Sequence, residues 1–140
     1  MSLTGGCLCG AVRYRIDGTQ RRVTHCHCIH CRRAGGAAFV TWAEFDASEF
    51  RLVAGSPARY ESRPSVTREF CAACGSQLTY RHADEPQVVD VTVCSLDDPA
   101  PLQPEDHVWC DRALPWIDMA DGLPRFGLGR WDSDGDERRD

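Results

Sequence analysis

Between residues 11 and 16 the chain alternates, with Val12, Tyr14 and Ile16 on one side and Arg13 and Arg15 on the other. A period of two sends neighbouring side chains to opposite faces, so this segment predicts a strand with one face buried. Asp17-Gly18 reads as the turn that ends it. Short apolar runs at 23–25, 38–42, 50–54, 78–81 and 88–93 predict further strands, with the second of the two cysteine-rich groups in the first 31 residues directly after 23–25. Residues 59–62 and 66–70 predict a hairpin around Arg63-Pro64, and Asp46-Ala47-Ser48-Glu49 has the spacing of a capping box, so one helical turn is expected there. No long stretch carries a helical period. Short strands at this spacing predict an all-β or β-rich domain.

The cysteines change this picture most. Seven of the nine form three groups: Cys7-x-Cys9, Cys26-x-Cys28-x-x-Cys31 and Cys71-x-x-Cys74-Gly75. A C-x-x-C followed by Gly is the shape of a zinc knuckle, in which a tight turn aims backbone N–H groups at the sulfurs and Gly takes the positive φ. Seven sulfurs divide as four plus three. A structural zinc takes four ligands, whereas a reactive one keeps a position open. The division predicts two zincs per chain. One is closed by Cys7, Cys9, Cys71 and Cys74. The other is held by Cys26, Cys28 and Cys31 from one short segment. Candidates for a fourth ligand at the second site are Cys94, His25, His27 and His30. The reading taken is an open position.

Composition narrows the function classes. The chain has 140 residues, enough for one domain, and no apolar run of membrane-helix length. No signal peptide is visible at the N-terminus, so a cytoplasmic protein with reduced thiols is expected. The net charge is −5 and every one of the 16 basic residues is arginine, which argues against a nucleic-acid partner. Residues 132–140 are charged and almost free of apolar side chains. A flexible tail is expected over 127–140, with the domain over 5–126.

An open zinc with three thiolates favours sulfur chemistry. Its net charge of minus one makes it a weak activator of water. A substrate thiol bound there stays electron-rich and can attack an aldehyde, or leave from a thiohemiacetal.

The run from Gly6-Cys7-Leu8-Cys9-Gly10 through Cys26-His27-Cys28-x-x-Cys31-Arg32-Arg33 resembles the glutathione-dependent formaldehyde-activating enzyme family, which includes the centromere protein V type of domain. Phe70-Cys71-x-x-Cys74-Gly75-Ser76, Ser95-Leu96-Asp97-Asp98-Pro99, His107-x-Trp109, Leu114-Pro115-Trp116 and Leu123-Pro124-Arg125-Phe126 match its pattern in order. The resemblance implies a mainly β, Mss4-like fold of bent antiparallel sheets tied by zinc. It implies a carbon–sulfur lyase that joins or splits a small thiol and a carbonyl compound, with glutathione as the thiol and Cys26, Cys28 and Cys31 as the catalytic set. The carboxylates of glutathione call for cations, and Arg32 and Arg33 are the nearest, with Arg68 beside the knuckle. Trp42 and Trp116 are candidate pocket walls. The alternatives are a non-catalytic Mss4-like binding module, a thiol–disulfide enzyme using Cys71 and Cys74, and an iron site. Cys94 and Cys110 depart from the family pattern.

Overall fold

The computed structural model describes residues 2–130. The chain runs β1 (Ser2–Gly6), β2 (Arg13–Asp17), β3 (Arg22–Cys26), α1 (Ile29–Gly35), β4 (Val40–Asp46), β5 (Phe50–Ala54), β6 (Ala58–Arg63), β7 (Val66–Phe70), β8 (Gln77–His82), β9 (Val88–Thr92) and β10 (Asp106–Val108). The fold is mainly β. Strands β1, β2 and β5 form a small antiparallel sheet, and the rest form a seven-stranded sheet in the order β10-β3-β4-β9-β8-β7-β6. That larger sheet is antiparallel except at its edge, where β10 lies parallel to β3.

The alternation over 11–16 does what its period dictates. Val12, Tyr14 and Ile16 are buried, and they share one apolar cluster with Phe45, Leu78, Val89 and Val91 from the large sheet. Burying an aliphatic side chain of this size contributes about 1.5–3 kcal/mol, so this layer helps to hold the two sheets together. The hairpin expected around Arg63-Pro64 forms, with Ser65 taking a positive φ of 71° in the turn. Asp46 caps a 3-10 turn over Ala47–Glu49 by accepting from the Ser48 N–H at 3.1 Å.

Three elements lie outside the pattern-based expectation. Strand β1 carries Gly5-Gly6 and has little strand propensity of its own; pairing with β2 from Ser2↔Asp17 to Gly6↔Arg13 holds it. Strand β10 has three residues, too few to show a period. Helix α1 has seven, and its start is marked by Cys28, whose sulfur accepts from the Cys31 N–H in the position a serine often takes.

The chain does not leave the body at residue 126. The Trp109 and Asp111 N–H groups donate to the Leu128 and Gly127 carbonyls, and Arg130 pairs with Asp106 and Glu105. Backbone pairing and ion pairs therefore carry the folded unit to Arg130, beyond the expected end at 126. The remainder of the expected tail, 131–140, lies outside the described residues. Among the described residues no helix is long and apolar enough to cross a membrane.

Candidate functional site

Two tight turns assemble the first sulfur group. One returns the chain after β1: the Gly10 N–H donates to the Cys7 carbonyl at 3.1 Å, with Gly10 at φ 80°. The other follows β7: the Gly75 N–H donates to the Cys71 carbonyl at 2.8 Å, with Gly75 at φ 79°. Cys7, Cys9, Cys71 and Cys74 thereby come together, with each ligand atom within 4.8 Å of the others. The Cys7–Cys9 and Cys9–Cys71 sulfur separations are 3.6 and 3.8 Å. Tetrahedral zinc with bonds of about 2.3 Å sets sulfurs about 3.8 Å apart, so the spacing fits a four-thiolate ion. The Val12 N–H points at the Cys7 sulfur from 3.2 Å, as a knuckle requires. Hydrogen bonds from the Ser76 hydroxyl and backbone pull the Cys74 thiol down to about 5, which favours the thiolate that a metal needs.

The second group sits where β3 meets α1. Cys26 ends the strand, Cys28 caps the helix and Cys31 lies in its first turn. All three are buried, and their sulfurs lie within 4.8 Å of one another. Cys26 and Cys31 are 3.6 Å apart at sulfur, again the spacing of ligands on one ion. Cys31 collects most of the polar help. The Trp42 indole N–H donates to its sulfur at 3.4 Å, and both terminal nitrogens of the buried Arg68 stand 3.8 Å away. Hydrogen bonds from Cys26 and Cys28, then the Arg68 charge and the Trp42 N–H, hold the Cys31 thiol well below its usual range.

A cleft of about 450 Å³ opens on this group, lined by Cys26, Cys31, Trp42, Tyr80, Asp90 and Trp109 among others. Trp42 is thus a wall of the cleft as well as a donor to sulfur. Trp116 is exposed and does not line it. Asp90, on β9, is the residue that sequence reasoning missed. Burial, reinforced by the Glu44 charge, pushes its carboxyl up to about 8, against the opposing pull of Arg22. The signal in the sequence was a lone acid inside the apolar run 88–93.

Arg33 and Arg68 line a second cleft of about 910 Å³, beside Tyr60 and His30. Arg68 spans the two, because it also reaches Cys31 and lays its guanidinium 5.1 Å from the Tyr80 ring centre. Arg32 points elsewhere and lines neither cleft. Cys94 is exposed and lies in a separate groove with Cys7, Leu8 and Arg13; the structure does not bring it to Cys26, Cys28 and Cys31 as a fourth ligand. The neighbouring histidines do not join that group either. His25 Nδ1 is engaged by the Thr41 hydroxyl at 2.8 Å, and His27 Nε2 by His107 Nδ1 at 2.9 Å.

A mainly β body, one four-cysteine cluster and one three-cysteine cluster at the foot of a cleft define a two-centre cysteine protein. The chain belongs to the glutathione-dependent formaldehyde-activating enzyme family, whose model matches residues 2–112. It is similar to a Halomonas elongata protein named "Putative glutathione-dependent formaldehyde-activating enzyme", at 27% identity, with 94% of each chain covered. A crystal structure of a Rhodobacter sphaeroides protein superposes with a TM-score of 0.58 at 22% identity, covering 88% of this chain and 98% of that one, and so shares the fold.

Proposed function

We propose that this protein is a carbon–sulfur lyase that forms or splits the adduct of a small thiol, glutathione or a relative, with a carbonyl compound. Family membership supports the reaction class. The observation that carries the reading is the three-sulfur group at the foot of the cleft, with no fourth protein ligand grouped with it among the described residues. Cys7, Cys9, Cys71 and Cys74 hold a structural zinc in this reading, and Cys26, Cys28 and Cys31 a second zinc. That second ion supplies a position for a substrate thiolate when bound.

The chain's own groups then have separate tasks. Trp42 and Arg68 donate to Cys31 and hold it as the thiolate that a metal needs. Arg33, at the mouth of the second cleft, takes a carboxylate of the thiol substrate, and Arg68 offers its charge between the two sites. Arg32, which lines neither cleft, is left with no substrate contact.

Asp90 manages the proton. In the direction of addition, the substrate sulfur forms a bond to the carbonyl carbon, the C=O π pair moves to oxygen, and the Asp90 acid gives that oxygen its proton. In the direction of release, the Asp90 carboxylate takes the hydroxyl proton, the C=O bond re-forms, and the C–S bond breaks with its electrons returning to sulfur.

The test is a metal count combined with exchange NMR on formaldehyde and glutathione. The expected result is two zincs per chain and faster exchange of S-hydroxymethylglutathione with its components. A folded protein without metal, or one with two zincs that binds no thiol, would sink the reading; the latter outcome would point to a binding module instead.

A further inference from the structure

The strand register carries a second group of ligand side chains that the cysteine chemistry does not use. Strand β3 pairs with β4 on one side and β10 on the other, and the partners of His25 are Thr41 and His107. The three residues thus form one row across three strands. The next row, Val40–Cys26–Val108, belongs to the opposite face, because successive residues of a strand point to opposite sides. The cysteine cleft opens on the Cys26 face, and the histidine row lies on the other.

On that other face a loop brings in Asp121. One ligand atom each from His25, His107 and Asp121 lies within 4.8 Å of the others. His107 is fully buried, and its Nε2 meets the Asp121 carboxylate at 2.7 Å. Each imidazole also has a partner outside the group. Thr41 takes His25 Nδ1 at 2.8 Å, and His27 Nε2 takes His107 Nδ1 at 2.9 Å. The second carboxylate oxygen of Asp121 accepts from the Leu123 N–H at 3.1 Å and faces Arg125 at 3.6 Å. Each candidate ligand therefore has a hydrogen-bond partner outside the group, the kind of contact that fixes tautomer and ring angle at metal sites. Phe39 packs edge-on against His25 and closes the flank.

We propose that His25, His107 and Asp121 bind one divalent first-row transition ion, a site separate from both cysteine groups. Two imidazoles and one carboxylate with open positions suit zinc, iron(II), cobalt(II) or manganese(II), and do not favour calcium or magnesium, which take all-oxygen sets. Binding places the ion between His107 Nε2 and Asp121.

The experiment is calorimetric titration of the purified protein, cysteine-held metal in place, with cobalt(II) and with zinc(II), alongside ring-¹⁵N NMR. The expected result is one further ion per chain, with the zinc(II)-induced ring shifts confined to His25, His27 and His107. Asp121→Asn keeps an acceptor for the His107 N–H and so keeps the loop, but should abolish the additional binding. Thr41→Val should weaken it about 10- to 100-fold, the usual cost of losing an outer partner. Cys28→Ser should bind the additional ion unchanged, so failure of the lyase reading and failure of this site are told apart. Absence of a further ion in the parent, equal binding by Asp121→Asn, or binding that leaves the three rings unshifted overturns the proposal and leaves Asp121 as a structural tie to a buried histidine.

Discussion

The indole N–H of Trp42 reaches the sulfur of Cys31 across 3.4 Å, joining the middle of β4 to the first turn of α1 at the foot of the cleft. Hydrogen bonds to a charged acceptor contribute about 1.5–3 kcal/mol, more than neutral ones, so this contact matters most when Cys31 is a thiolate. Trp42→Phe should therefore lower metal affinity at the three-sulfur site about 10- to 100-fold and leave the four-sulfur site loaded. Competition with a graded series of chelators measures both sites at once. Unchanged retention at both would show that the indole serves packing alone.

The two cysteine groups should differ in what they hold together. Cys9 and Cys71 are 62 residues apart in sequence, and their group ties the small sheet to β7 and β8. Structural zinc contributes about 10–16 kcal/mol in small zinc modules, as much as the whole stability of an ordinary domain. Cys74→Ser should unfold the protein or prevent its soluble production. Cys28→Ser frees only the β3–α1 junction, so it should stay folded with one zinc and no activity. Circular dichroism with elemental analysis reads the contrast. Equal losses in the two variants would contradict the assignment of structural and open centres.

Asp90 gives a pH dependence with a definite sign. Its carboxyl rises from the ordinary 3.8 to about 8 in the fold, so the native state holds a proton that the unfolded chain has released. Its contribution to stability is full below 3.8 and is lost as pH rises through about 8. Asp90→Asn removes that component. Urea midpoints of the parent should fall more steeply than those of the variant over the upper part of this window, where the thiolates keep their metal. Parallel slopes would show that Asp90 ionises normally. The same variant should lose the acid form needed for addition and slow turnover, with a smaller effect on thiol affinity.

Arg33 and Arg68 should separate binding from turnover. Arg33 is exposed at the second cleft and touches no sulfur, so Arg33→Ala should raise KM for glutathione roughly tenfold, the loss of one charge-assisted hydrogen bond, and leave kcat near the parent value. Arg68 is buried against Cys31, so Arg68→Met should lower kcat. Steady-state kinetics of both variants decides. A kcat effect from Arg33→Ala would move the thiol's carboxylate elsewhere.

Spacing and period alone carried the parts of this protein that are local. The alternation over 11–16 dictated which side chains of β2 are buried, because a strand has a period of two wherever it packs. The C-x-C and C-x-x-C-Gly turns follow from how few residues a tight turn can contain, and the count of seven sulfurs called for four plus three, but only the fold brings Cys7 and Cys9 to Cys71 and Cys74. Tertiary structure decided the rest. A seven-residue helix such as α1 is too short to show a period, and β1 and β10 exist only because a neighbour supplies their hydrogen bonds. No local rule places Asp90 and Trp42 on the same cleft wall as Cys31, or Arg68 beside its sulfur, since these residues come from separate strands and meet through sheet order. The row Thr41–His25–His107 has the same origin: register between β4, β3 and β10 aligned side chains from distant parts of the chain, and register is settled by long-range backbone pairing.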